Sequence, residues 1–140
     1  MFNIREDWRS VDFNDIVSLY NSVGWNAYTK DKESLLKAFT NSSYVLIVKE
    51  GNVVVAALRS LSDDVSIHYL QDILVRPSHQ YKGIGRRLLD NVLKRYSHVR
   101  THMLLTDDEE KQMKFYTSLG YENLKTYKKG TLNTFVKMNN

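Results

Sequence analysis

Apolar residues recur at helical spacing early in the chain. Phe13, Ile16, Val17 and Tyr20 share one face, and Asp12 stands ahead of them as an N-cap. The pattern breaks over residues 23–29. A second short helix is expected after Asp31, carrying Leu35, Leu36 and Phe39. Residues 44–48 and 53–59 are β-rich runs joined at Gly51-Asn52, which predicts a hairpin. Asp63-Asp64 marks the next turn, and residues 65–75 form a long third strand. Simple alternation puts Leu70, Asp72 and Leu74 on one face of that strand, with Gln71 and Ile73 on the other. A bulge would change that assignment. Leu88, Leu89, Val92, Leu93 and Tyr96 line one face of a following helix. A strand over 99–106 and a helix over 109–119, stopped by Gly120, come next. Residues 121–127 and 131–138 complete the pattern as a hairpin across Lys129-Gly130. The order is α-α-β-β-β-α-β-α-β-β. Antiparallel runs with one β-α-β crossover predict an α/β (α+β) fold on a mixed sheet.

The 140 residues suit one domain, 1–140, because Pro77 is the only proline and no linker divides them. No apolar run reaches membrane-spanning length, and the N-terminal stretch is charged, so neither a membrane segment nor a signal peptide is expected. The absence of cysteine excludes disulfides, zinc–thiolate sites and a cysteine nucleophile. It suits a cytoplasmic location. The net charge of +4 favours anionic partners. A phosphorylated cofactor and a nucleic acid would both satisfy that balance. No recognition-helix motif supports the nucleic acid, and none is expected as a partner. His68, His79, His98 and His102 show no ligand spacing, so no metal is expected.

The chemistry concentrates where the third strand ends. Ile73, Leu74 and Val75 lead through Arg76-Pro77 to Gln80-Tyr81-Lys82-Gly83-Ile84-Gly85, which opens onto a helix beginning with Arg86 and Arg87. A strand, a glycine-bearing turn and a helix start can hold a phosphate on backbone N–H groups and the positive end of the helix. Two arginines on that first turn are disfavoured unless an anion is present. A P-loop is excluded because no Gly-x-x-x-x-Gly-Lys-Ser/Thr occurs. A dinucleotide fingerprint fails because Leu88 stands where its third glycine belongs.

This segment resembles the acetyl-CoA motif of the GNAT superfamily, a strand followed by Gln/Arg-x-x-Gly-x-Gly/Ala. Phe115-Tyr116-Thr117-Ser118-Leu119-Gly120-Tyr121 resembles the same family's Phe-Tyr-x-x-x-Gly-Phe/Tyr segment. Their spacing and the element order also match. Val23-Gly24-Trp25 with Tyr28, Arg59, and Leu104-Leu105-Thr106-Asp107-Asp108 are similar to a bacterial branch with amine acceptors. Ala57 departs from the pattern, standing where glycine is common.

The resemblance implies an N-acetyltransferase that moves an acetyl group from acetyl-CoA to a primary amine by direct attack. A small-molecule amine is the favoured acceptor. A protein lysine or N-terminus, or a non-catalytic acyl-CoA-binding regulator, is the alternative. The resemblance further implies that amides from Tyr81 to Arg86, with Gln80, Lys82, Gly83, Ile84 and Gly85, hold the pyrophosphate. The pantetheine arm would pair with Ile73, Leu74 and Val75. Tyr116 matches the family tyrosine that protonates the departing thiolate. For the base, Asp72 is the first choice, and a structural carboxylate is its alternative. Asp107 is a candidate for attracting a cationic substrate, whereas Asp108 is expected to cap the next helix. Trp25 and Tyr28 would cover the acceptor, with a core anchor as the other reading of Trp25. Homodimers are frequent in the family, and the final hairpin offers an edge for pairing.

Overall fold

Strands rich in Val, Ile and Leu assemble into one five-stranded sheet. They are β1 (Asn3–Arg5), β2 (Tyr44–Glu50), β3 (Val53–Ser62), β4 (Ile67–Val75) and β5 (Thr101–Leu104). The strands lie in chain order and are antiparallel except for the parallel β4–β5 pair. The computed structural model describes residues 2–128 and 131–139, which fall into two units, Met1–Leu105 and Thr106–Asn140. No helix among the described residues is long and apolar enough to cross a membrane.

The first unit holds the whole sheet and helices α1 (Phe13–Ser22), α2 (Asn26–Thr29), α3 (Lys32–Thr40) and α4 (Ile84–Arg95). The Asp12 and Asp31 carboxylates accept from the N–H groups of Asn14 and Ser34, capping α1 and α3 as expected. These helices bury Ile16, Leu19, Tyr20, Leu35 and Phe39 against Val45, Ile47, Val54, Ala57 and Leu74. Trp8 and Phe13 meet Phe39 edge-on at 5.3 and 5.5 Å, contacts worth about 1 kcal/mol each beyond burial. α4 buries Leu88, Leu89 and Val92 and packs on β3 and β4. β3 is buried without interruption from Val54 to Ser60, so both sheet faces are covered.

A bulge on β4 overturns the simple alternation. Arg59 opposes Asp72, but Ser60 opposes Leu70, which makes Gln71 an extra residue. Arg59 and Ser60 point to opposite faces, and residues opposed across an antiparallel pair share a face. Leu70 therefore lies on the α4 face, together with His68, whose ring stacks on Tyr96 at 4.5 Å just past α4. Asp72 and Leu74 lie on the α1 face. Gln71 joins Asp72 there, since its side chain reaches Tyr28.

Other differences are local. β1 and the single turn of α2 add to the expected elements, and β5 is shorter than the 99–106 run. In the second unit, helix α5 (Glu110–Ser118) has Glu109, not Asp108, at its N-cap, with no side-chain cap. The Asp108 carboxylate instead lies 3.7 Å from Lys125 Nζ. Gly120 follows the helix at φ +94°, the left-handed stop expected of it. The expected final hairpin does not form a ladder among the described residues, and its turn at Lys129-Gly130 lies outside them. A local competitor explains the first half. The Asn123 side chain accepts from Lys125 N–H at 2.9 Å, and its carbonyl accepts from the amides of Thr126 and Tyr127. This closes a turn where a strand was expected.

Candidate active site

Asp72 sits at the bulge, 2 % exposed, between the sheet and the first two helices. Arg59 Nε donates to its Oδ2 at 2.9 Å, and Arg59 Nη2 lies 2.8 Å from the same oxygen. Tyr20 donates its hydroxyl to Oδ2 at 2.9 Å, and Tyr28 donates to Oδ1 at 2.9 Å. One buried carboxylate is thus held by a guanidinium and two phenols. Burial opposes the Arg59 charge, but Asp72 and Tyr20 outweigh it and raise the guanidinium further. Burial, then the Asp72 carboxylate, pushes the Tyr20 phenol well above its ordinary range. The same causes raise Tyr28.

Trp25 and Tyr28 flank this network from the α1–α2 connection and α2. Their rings lie 6.0 Å apart, and Tyr20 meets them at 5.9 and 5.4 Å. Gln71 completes the group by donating its amide Nε2 to Tyr28 Oη at 3.3 Å. Trp25, Tyr28 and Asp72 thus come together, whereas Gln71 lies on the face opposite to the one simple alternation predicts, and Tyr20, expected on the apolar face of α1, donates into the network. The available signal was one acid and one base in neighbouring apolar strands, Asp72 and Arg59.

The open edge of β4 begins at the same place. Pairing with β5 ends at Leu70 opposite Leu104, while pairing with β3 continues to Val75. Ile73, Leu74 and Val75 therefore follow the point where the parallel pair stops. Gln80 donates its side-chain amide to the Val75 carbonyl at 3.0 Å, tying the loop back to the strand. Tyr81 adopts φ +63° and is 83 % exposed, and Gly83 adopts φ +80° as the N-cap of α4. The first helical bond runs from Arg87 N–H to the Gly83 carbonyl at 3.1 Å. The amides of Ile84 and Gly85 precede that ladder and face out of the helix start. No side chain caps this terminus and no acid lies in its first turn. Lys82, Gly83, Ile84, Gly85 and Arg86 thus lie together at a helix start whose positive end favours an anion.

Tyr116 and Asp107 belong to the second unit. Tyr116 lies on α5, its ring 5.1 Å from Phe115 and 5.8 Å from Tyr121. Burial pushes its phenol up to about 12. Asp107 is exposed, and its carbonyl accepts from Glu109 N–H at 2.9 Å. Among the described residues no three ligating side chains gather into a metal site. Although His79 has no carboxylate near it in sequence, its Nε2 lies 3.0 Å from Glu50 Oε1.

The fold is thus a mixed sheet whose one parallel pair parts beside a glycine turn and a helix start that no side chain caps. The model of the acetyltransferase (GNAT) family matches residues 7–121, and the chain belongs to that family. The L-amino acid N-acyltransferase MnaT of Escherichia coli K12 is 29% identical over 114 residues, 74% of this chain and 66% of that protein. The chain spans less than two thirds of the length of the curated relatives it matches. A GNAT family acetyltransferase from Streptococcus pneumoniae TIGR4 superposes with a TM-score of 0.81 at 30% identity, covering 99% of this chain and 97% of that one. The ribosomal-protein-S18-alanine N-acetyltransferase of Escherichia coli shares the fold, with a TM-score of 0.72 at 18% identity over 86% of this chain and 77% of that one.

Proposed function

We propose that this protein transfers an acetyl group from acetyl-CoA to the primary amine of a small molecule. The carrying observation is the coincidence, at one point of β4, of a freed strand edge, a bulge and an aromatic cover from Trp25 and Tyr28. The amino-acid acceptor in the name of MnaT supports a small amine. The reading treats 1–140 as one acetyltransferase domain, supported by a family match that runs across both units.

In this reading Ile73, Leu74 and Val75 offer backbone pairing to the pantetheine arm. The turn from Gln80 to Arg86 holds the pyrophosphate with amides and cationic side chains. The neutral amine nitrogen attacks the thioester carbonyl carbon and a C–N bond forms; the C–S bond breaks, the sulfur leaves with the electron pair, and the proton that the nitrogen then sheds passes through solvent to the thiolate. Asp72 is poorly suited to take the ammonium proton. It is sealed from solvent, and Arg59, Tyr20 and Tyr28 occupy its oxygens. The amine sheds that proton to bulk solvent before attack, at a cost of roughly 5 kcal/mol for an amine near 10.4 at pH 7.

Tyr116 acts on the leaving sulfur, with a narrower part than full proton donation. An ordinary phenol near 10 is already a weaker acid than a thiol near 8.5. With Tyr116 pushed to about 12, transfer to a free thiolate is uphill by roughly 5 kcal/mol. A hydrogen bond to charge developing on sulfur carries no such cost.

Calorimetric titration with acetyl-CoA, beside ATP and NAD, tests the reading. Selective binding, followed by acetylation of a primary amine measured by thiol release, supports it. Absence of both with ligand-free protein, checked by mass spectrometry, removes it.

A further inference from the structure

Tyr28 fixes the direction of the Gln71 amide. The single Tyr28 hydroxyl proton is committed to Asp72 Oδ1, so toward Gln71 that oxygen can only accept. The group facing Tyr28 must therefore be the amide NH2, which leaves the amide oxygen on the other side. Gln71 is exposed, and its oxygen takes no donor among the described residues. It stands at the extra position of the bulge, directly after the last residue of β4 that pairs with β5.

We infer that Gln71 is a specificity-determining residue for the acceptor, its amide oxygen accepting an N–H of the incoming primary amine. The inference rests on the acetyltransferase reading and adds a residue and a role to it. Arg59 and Asp72 are positioning residues in this arrangement. Their opposite charges satisfy each other, so the network aims Gln71 without placing a free charge at the amine. A neutral oxygen suits a monoamine with an apolar or aromatic body, which the Trp25 and Tyr28 rings can cover. The bond is present before and during attack, so its loss raises KM and lowers kcat/KM with little change in kcat.

The test compares the full-length protein with Gln71→Met, which keeps side-chain length and removes the acceptor. Tyr28→Phe is the second variant, because it releases the amide to turn over. Acetyl-CoA turnover is measured with 2-phenylethylamine, hexylamine, L-phenylalanine and spermidine, and acetyl-CoA affinity by calorimetry. The expected result for Gln71→Met is an amine KM raised about tenfold, the size of a hydrogen bond to a charged or ionisable group. Its kcat stays within twofold, and acetyl-CoA affinity and melting temperature do not move. Tyr28→Phe raises the amine KM by a smaller factor. An unchanged KM in Gln71→Met, with turnover intact, overturns this inference and leaves the acetyltransferase reading standing. Acetyl-CoA binding with no acetylation of any of the four amines by the unsubstituted protein counts against both.

Discussion

Arg59 and Asp72 form a buried ion pair, 2.8 Å from nitrogen to oxygen, joining β3 to β4 at the bulge. Two apolar strands thus carry one opposite charge each, and the register brings them together. Breaking such a pair strands a charge in the interior, which typically costs about 3–5 kcal/mol.

Asp72→Asn should therefore destabilise the protein by about 3 kcal/mol, because Arg59 stays charged while its counter-ion is lost. Arg59→Met combined with Asp72→Asn should recover much of that, since the amide oxygen can accept from one of the two phenols while the amide NH2 donates to the other. Urea midpoints at constant slope measure both effects. A catalytic base would add a second effect. The asparagine variant would then lose kcat in its folded state, at urea concentrations well below the midpoint, and the double variant would recover stability without recovering kcat.

His68 supplies a pH dependence. Its ring is fully buried, its Nδ1 is 3.1 Å from His102 Nδ1, and its Nε2 has no partner among the described residues. Burial, with a smaller contribution from His102, pushes its pKa from 6.5 down to about 4. The folded state thus resists a proton that the unfolded chain accepts. Stability from this group is complete above about pH 6.5 and falls between there and about pH 4, by up to about 3 kcal/mol. His68→Phe keeps a ring against Tyr96 and removes the titration. Its unfolding free energy should decline less from pH 7 to 4.5 than that of the unsubstituted protein, measured by denaturant titration at each pH.

The glycine turn and the β4 bulge differ in how far the sequence disclosed them. The glycine turn was legible because Gly83 and the helix start are local features whose chemistry needs no partner in space. The sheet was legible because β2, β3 and β4 carry long β-rich runs punctuated by Gly51-Asn52 and Asp63-Asp64. The bulge was not, because an extra residue in one strand is defined only against its neighbour. One such residue moved Leu70 to the other face and brought Gln71 beside Asp72. The segment after Gly120 failed for a related reason. Its β-propensity is real, but the Asn123 turn satisfies backbone groups locally, and no partner strand pairs with 131–138 among the described residues.

Tyr116→Phe should lower turnover about 10–100-fold while leaving acetyl-CoA affinity within a factor of two. A donor that acts on charge developing at sulfur contributes to the transition state and little to ground-state binding. Steady-state kinetics beside calorimetry separate the two quantities. Unchanged turnover would remove Tyr116 from the chemistry and leave it as a packing residue of α5.

Gly83→Ala distinguishes a ligand-holding turn from a mere helix cap. Gly83 adopts φ +80°, where a side chain costs roughly 1 kcal/mol of backbone strain. A Cβ there meets nothing within 4 Å, so no steric cost adds to it. The melting temperature should therefore fall by only a few degrees, as about 1 kcal/mol does in a chain of this size. Acetyl-CoA affinity should fall further, about tenfold or more, because a ligand approaching the amides of Ile84 and Gly85 must pass the added methyl. A helix cap alone predicts the first change without the second. Measuring the melting temperature with and without acetyl-CoA reads both on one sample, since a ligand selective for the folded state stabilises it in proportion to occupancy. Equal ligand-induced shifts in Gly83→Ala and the unsubstituted protein would move the phosphate site away from this turn.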